Sequence, residues 1–278
     1  MNEKKILADF NKNLDIYLNQ NKNLSLLKKD IFKLKKNILD KKNFHIVIKN
    51  FESNPKKIEN KIIKFSKLFG TPLAQNKLGN KFVKIKPNVR LIKKRKTDKK
   101  VKLRYHQTNA GGAIHSDGPQ LSTPPKYVIM GCIRQAKKGG FSIVSSAEKI
   151  SNFLQKNRPD ILKTLQQNFY FERRGFNYSN KNIFNKPIYS IKKNNFKFRY
   201  LREYIEAAYT LKSISLSNEK IDALNFLDNL LKKKQFQHRY KLNEGDIIIL
   251  NNNHLAHGRS SFKIEGSEQR SLMRVWTK

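Results

Sequence analysis

A histidine and an aspartate two residues apart, His115 and Asp117, stand in the glycine-rich stretch 111–120, GGAIHSDGPQ. Much later, the stretch 251–259, NNNHLAHGR, brings two more histidines, His254 and His257. An imidazole and a carboxylate at this spacing can bind one face of a metal ion, and a histidine from the later stretch would complete two nitrogens and one oxygen. That donor set suits a non-haem Fe(II) which keeps three positions open for a cosubstrate and oxygen.

A third group of residues bears on what such a metal would work with. From position 270 the chain reads RSLMRVWTK, and strand alternation puts Arg270, Leu272, Arg274 and Trp276 on one face, with Ser271, Met273 and Val275 on the other. Two arginines on the face of a mostly apolar strand are costly to bury without an anion. A dicarboxylate cosubstrate would supply one, since guanidinium matches a carboxylate in two-point geometry. The competing reading is an edge strand whose arginines reach solvent. The histidine stretch just upstream favours the anion.

These residues need elements to hold them. Apolar positions at helical spacing (Ile6, Phe10, Leu14, Tyr17, Leu18, then Leu24, Leu27, Ile31, Leu34, Ile38) predict two amphipathic helices on the outside of a core. A strand is predicted at 44–48, followed by a helix that Ser53 caps, Pro55 opens and Gly70 ends. Residues 82–86 alternate like a strand until Pro87-Asn88. The nearly continuous apolar run 127–133 reads as a strand covered on both faces. With 141–145, across the turn Gly139-Gly140, it makes a hairpin-like pair. Helices are expected at 147–154 and 159–167, a hairpin over 188–200 turning at 193–195, and a helix capped by Ser217. Strands follow at 236–240, 247–250 and 270–276. Strands in both halves, interrupted by helices, predict a mainly β fold with outer helices and a closed or sandwich-like core. A single domain over 1–278 is expected, with a helical segment at 1–40 ahead of a core at 44–278 that carries helical insertions.

The formal net charge of +38 raises nucleic acid or an anionic membrane as partners. The excess is mostly lysine and spread along the chain, and its densest run, 93–100, has no interleaved aromatics. That run is read as a solvated loop, and nucleic acid is not expected as a partner. A basic nucleic-acid-binding protein on a jelly-roll, or an oxygenase acting on a nucleobase, stays as the alternative. No apolar run could cross a bilayer and the N-terminus lacks the pattern of a leader, so no membrane partner and a cytoplasmic location are expected. The single cysteine, Cys132, lies in an apolar run and reads as a buried, inert thiol. Assembly into a homo-oligomer is left open.

His115-Ser116-Asp117, the turn and strand Gly139-Gly140-Phe141-Ser142, His257-Gly258-Arg259 and the Arg270 to Arg274 strand follow one another in an order that resembles the TauD/TfdA family of Fe(II)- and 2-oxoglutarate-dependent oxygenases. The resemblance covers roughly 44–278. It implies a double-stranded β-helix, or jelly-roll, core, with His115, Asp117 and His257 as iron ligands; His257 is preferred to His254 because Gly-Arg follows it. It implies Ser142 and Arg270 at the far carboxylate of 2-oxoglutarate, and Arg274 deeper, near the cosubstrate's other end or the substrate. Phe141 and Asn251 stand where acidic residues are common in the family, which bears on the surroundings of the ligands. His45, His106 and His238 are read as structural or exposed, and His254 as a neighbour of the ligands or exposed. The implied reaction consumes 2-oxoglutarate and O2, releases succinate and CO2, and hydroxylates an unactivated C–H bond of a small molecule, anionic or amino-acid-like. Residues 107–120, Arg199 to Tyr204 and Arg274 are the expected pocket walls.

Overall fold

The computed structural model describes the chain apart from residues 1–2, 21–23, 42, 53, 55–56, 99–104, 175–181, 193–194 and 265–268. Its elements in chain order are α1 (Glu3–Gln20), α2 (Leu24–Leu34) running into a π-helical turn at Lys35–Leu39, β1 (His45–Ile48), α3 (Ile58–Ser66), β2 (Phe82–Ile85), α4 (Val89–Thr97), β3 (Gly112–His115), β4 (Tyr127–Arg134) and β5 (Ser142–Ser146). There follow α5 (Ala147–Asn157), α6 (Pro159–Leu165), β6 (Asn168–Glu172), β7 (Ile183–Pro187), β8 (Tyr189–Lys192), β9 (Asn195–Phe198), α7 (Arg202–Leu211), α8 (Asn218–Lys232), β10 (Gln237–Tyr240), β11 (Ile247–Asn251), β12 (Leu255–Arg259) and β13 (Ser271–Thr277).

Two antiparallel sheets make the jelly-roll. One runs β1-β11-β4-β13-β2 and the other β10-β5-β12-β3. Alternation along each strand sorts the apolar side chains into three cores. Val128 and Cys132 of β4, Ile248 and Leu250 of β11, and Leu272 and Trp276 of β13 meet Val144 of β5 and Leu255 of β12 between the sheets. Tyr127, Ile129, Ile247, Ile249, Met273 and Val275 point the other way, against α1, α2 and α3. Ile114, Ile143 and Ala256 leave the second sheet outward, towards α5, α6, α7 and α8. The run 127–133 is therefore covered on both faces, as its composition predicts.

Strand β11 shows what apolar pattern cannot do. With Ile-Ile-Ile-Leu on both faces, a one-residue slip would exchange one apolar set for another, so hydrophobicity alone fixes no register. The polar residue at its end supplies it: Asn251 Nδ2 donates to Leu39 O at 3.0 Å and to Asp40 Oδ1 at 2.9 Å. Asp40 also accepts from Tyr127 Oη and Lys126 Nζ, both at 3.0 Å. The end of the N-terminal helical layer is thus tied to the sheet.

Several expectations need correction. The basic run is no loop: α4 carries it through Thr97, with Asn88 Oδ1 accepting from Leu91 N at the cap; Lys99 and Lys100 lie outside the described residues. Lysine and arginine are good helix formers, and with no apolar stripe required the run shows no helical period to read. Strands β4 and β5 do not pair, because the turn after β4 carries the chain into the opposite sheet. Strand β13 is no edge strand, lying between β4 and β2. The hairpin β6–β7 and helix α7 went unanticipated. Helix α3 starts at Ile58, without a side-chain cap; Ser53 and Pro55 lie outside the described residues, as does the turn at 193–194. The Ser217 cap is present, its hydroxyl accepting from Lys220 N.

Candidate active site

His115 is the last residue of β3 and pairs directly with His257 of β12. Both have the alternation of residues facing the inter-sheet space, and their ring centroids lie 4.9 Å apart. Asp117 follows in the loop, where Asn252 grips its main chain: Asp117 N donates to Asn252 Oδ1 at 2.8 Å, and Asn252 Nδ2 donates to Asp117 O at 2.9 Å and Pro125 O at 3.0 Å. Ser116 is pinned beside it, exchanging bonds with the Tyr200 main chain. One donor atom from each of His115, Asp117 and His257 lies within 4.8 Å of the others, a group that could hold a metal ion.

The protonation pattern suits a cation. His115 Nδ1 lies 2.6 Å from Ala113 O; a carbonyl can only accept, so Nδ1 carries a proton, and Nε2 is the nitrogen whose lone pair the neutral tautomer turns to the cavity. Nε2 of His115 and of His257 stand 3.7 and 3.5 Å from the two Asp117 oxygens, too far for good hydrogen bonds. Metal bonds of roughly 2.1 Å hold neighbouring donors about 3 Å apart, so a cation need draw these groups together only slightly. Burial pushes the His257 imidazole down to about 3, against the pull of Asp117, so it is neutral. For Asp117, burial pushes the carboxyl up, but Arg274 first, then His257 and His115, outweigh it and hold it far below the usual carboxylate range.

Arg274 of β13 and Arg270, one residue before the strand begins, divide the cavity between them. Arg274 sits on Asp117, its NH1 donating to Oδ1 at 2.8 Å, and its Nε donates to Gln75 Oε1 at 2.7 Å. Gln75 in turn donates to Lys81 O and Arg274 O, so its amide is fixed. On the same face Trp276 Nε1 donates to Asp117 Oδ2 at 2.9 Å. Arg270 lies at the other end, donating from Nε to Gln135 Oε1 at 3.1 Å. It passes over Gly140, where a Cβ would sit 3.0 Å from its Cδ and Nε; Gly140 also has φ +73°. Arg259 lines the same cavity, its NH2 bonded to Tyr105 O and Thr108 O. Arg270 and Arg259 are each about 95% buried, and no carboxylate among the described residues forms an ion pair with either. Burial accordingly pushes Arg270 down to about 10.

All six expected site residues, His115, Asp117, Ser142, His257, Arg270 and Arg274, line this one cavity, and Leu272 and Trp276 join them as the alternation predicts. Its apolar wall is Val83, Ile85, Met130 and Leu201; Gln120 lines it from a buried position, and Asn76, Arg174, Glu203 and Tyr204 line it as well. Other expectations fail. Of the stretch Arg199 to Tyr204, Leu201, Glu203 and Tyr204 line the cavity as expected, but Arg199 is a brace, donating to Leu121 O and Ser122 O, and Arg202 pairs with Glu206; neither of these lines it. Phe141 is exposed and Asn251 binds Asp40, so neither touches the ligands. His45 bonds Tyr240 and is structural as expected; His254, expected beside the ligands or exposed, instead stacks between Phe44 and Phe196 and meets Glu148; the His106 side chain lies outside the description. Gln75 and Asn252 were missed. Asn252 sits in a quoted stretch without a role, and Gln75 had no periodic neighbours to mark it.

FR-33289 synthase of Streptomyces rubellomurinus (strain ATCC 31215) is 26% identical over 213 residues, 74% of this chain and 60% of that protein. Gamma-butyrobetaine dioxygenase of Homo sapiens is 27% identical over 156 residues, 54% of this chain and 40% of that protein. The matched part is thus less than two thirds of either relative. Among solved structures, asparagine oxygenase in complex with Fe(II), 2S,3S-3-hydroxyasparagine and succinate has a TM-score of 0.70 at 11% identity, over 100% of this chain and 92% of that one. The non-heme iron oxygenase OrfP in complex with Fe and alpha-ketoglutaric acid has a TM-score of 0.65 at 14% identity, over 100% and 93%. At such identities these likenesses bear on the fold. The family model described as "Taurine catabolism dioxygenase TauD, TfdA family" matches residues 5–276. With the match running nearly end to end and every element of the cavity inside it, the chain belongs to the TauD/TfdA family.

Proposed function

We propose that this protein is an Fe(II)- and 2-oxoglutarate-dependent dioxygenase that hydroxylates an unactivated C–H bond of a small, anionic, amino-acid-like molecule, releasing succinate and CO2. The observation that carries the reading is the pairing, in one cavity, of a three-residue metal-ligand set with a buried guanidinium. At one end, His115, Asp117 and His257 bring one donor atom each within 4.8 Å of the others. At the other, a buried guanidinium, Arg270, has no counter-anion among the described residues. A metal completes the first and a carboxylate the second, and a molecule with a metal-chelating end and a distant carboxylate completes both.

Fe(II) held by His115, Asp117 and His257 would supply oxygen activation with 2-oxoglutarate as the electron donor. The residues of the chain do the rest. Arg270 binds the far carboxylate of 2-oxoglutarate, with Ser142 as a hydroxyl donor beside it. Val83, Ile85, Met130 and Leu272 keep water from the reacting centre. Arg274, aimed by Gln75, offers its remaining N–H groups to an anionic group of the substrate. Gln120, buried at the cavity wall with an unpartnered Oε1, accepts from an N–H of the substrate, as an amino-acid-like molecule would provide. The relatives and neighbours, which include an asparagine oxygenase, support this class without identifying the compound.

The first test is anaerobic addition of Fe(II) and then 2-oxoglutarate to the metal-free protein. A weak visible charge-transfer band in wild type, absent from His115→Ala, is the expected result. A folded wild-type protein that gives no band would refute the proposal. A library of amino acids and small carboxylates, screened for oxygen-dependent succinate release above background, then narrows the substrate.

A further inference from the structure

We propose that Trp276 is a positioning residue of the metal site: its indole N–H fixes the Asp117 carboxylate so that the metal meets it in one orientation. The inference rests on reading His115, Asp117 and His257 as metal ligands. Trp276 is the only tryptophan in the chain and is almost wholly buried. An indole N–H donates and cannot accept, and a buried one needs a partner. In this protein that partner is Asp117 Oδ2, at 2.9 Å.

The geometry makes this more than core filling. Trp276 and Arg274 lie two residues apart on the same face of β13, and they take one carboxylate oxygen each, Arg274 the Oδ1 at 2.8 Å and Trp276 the Oδ2 at 2.9 Å. With the main chain of Asp117 gripped by Asn252, rotation of the carboxylate about its last bond breaks both bonds together. Each oxygen accepts one strong hydrogen bond and has one lone pair left. A carboxylate so held resists turning to chelate the metal through both oxygens, which would consume a position that a facial three-ligand site must keep open. The two donors differ in kind. Arg274 also neutralises the carboxylate, so its loss mixes charge with orientation, whereas Trp276 is neutral and its loss changes orientation alone.

The test is Trp276→Phe, which keeps the aromatic packing and removes the N–H. Mn(II) affinity, read from the electron paramagnetic resonance of the free ion, should fall by about 10–100-fold, the range for loss of a group that orients a metal ligand. The metal-free variant should unfold cooperatively. A core-filling tryptophan would lower stability and leave Mn(II) affinity within about twofold of wild type, and that result overturns the proposal. A second measurement needs no variant. With one tryptophan, the ¹⁵N spectrum of wild type has one indole signal; it should exchange slowly with D2O and shift on addition of Zn(II). An indole proton that exchanges as fast as a free one, or a signal that ignores Zn(II) bound at the site, overturns it equally. Failure of wild type to bind Mn(II) at all is a distinct outcome, which removes the metal reading together with this one.

Discussion

Replacing Arg270 by methionine should stabilise the ligand-free protein while destroying its hold on the cosubstrate. The guanidinium is about 95% buried, pairs with no carboxylate among the described residues, and is pushed by burial from its ordinary 12.5 to about 10. That displacement corresponds to about 3 kcal/mol of uncompensated charge burial at neutral pH. Methionine removes the penalty and gives up the bond to Gln135 Oε1, worth ~1 kcal/mol. A net gain of about 2 kcal/mol remains, a rise in Tm on the order of 5 °C. With 2-oxoglutarate present the sign reverses. Wild type gains the ion pair and the variant cannot, and losing one partner of such a buried pair costs about 2–5 kcal/mol, a weakening of roughly 30-fold or more. Thermal unfolding with and without 2-oxoglutarate, in a buffer free of sulfate and phosphate, together with calorimetric titration of the metal-loaded protein, reads both halves. A variant that melts below wild type in the absence of cosubstrate, or binds 2-oxoglutarate within threefold of wild type, would refute the reasoning.

Asn252→Ala removes the clamp on the Asp117 main chain and leaves buried groups unpartnered; a loss of about 2–4 kcal/mol in urea unfolding is expected, with weaker Mn(II) binding. Gly140→Ala should weaken 2-oxoglutarate binding more than metal binding, because the added Cβ presses on Arg270 and the backbone is left-handed there; equal effects on both titrations would contradict this. In the metal-free protein His257 is lowered from 6.5 to about 3, so the folded state disfavours the proton that the unfolded state takes up. Stability is therefore fully present above about pH 6.5 and is lost on acidification towards pH 3, by up to ~1.4 kcal/mol per pH unit. Urea midpoints measured in chelator between pH 7 and 4 should show this slope, reduced in His257→Gln.

What could be read from the sequence was whatever rests on local period or on a paired motif. The alternation of β13 puts Arg270, Leu272, Arg274 and Trp276 on one face, and all four line the cavity. The spacing of Ile6 through Ile38 gives helices because one face of each is buried on the sheet. The misreadings arise where the deciding contact is distant. Arginines at 199 and 202 look like cavity residues until the loop carbonyls and Glu206 that engage them are seen. Gln75 sits between elements, and only its two bonds to Arg274, far along the chain, reveal its role. Strands β4 and β5 look like a hairpin because a glycine turn gives the same signal whether the chain folds back in one sheet or crosses to the other.

The place of β13 between β2 and β4 also bears on how the molecule is made. Its two neighbours precede it by well over a hundred residues, so at typical synthesis rates of about 5–20 residues per second they wait on the order of ten seconds or more for the strand that joins them. Throughout that interval β2 and β4 have unpaired edges, the kind of surface that recruits wrong partners. Lys84 within β2, with Lys81 and Lys86 just beyond its ends, puts charge along one of those edges. The strand that brings Arg274 and Trp276 to Asp117 is also the one whose arrival joins β2 and β4 in one sheet, so the nascent chain gains its chemistry and its protection from misassociation in the same step.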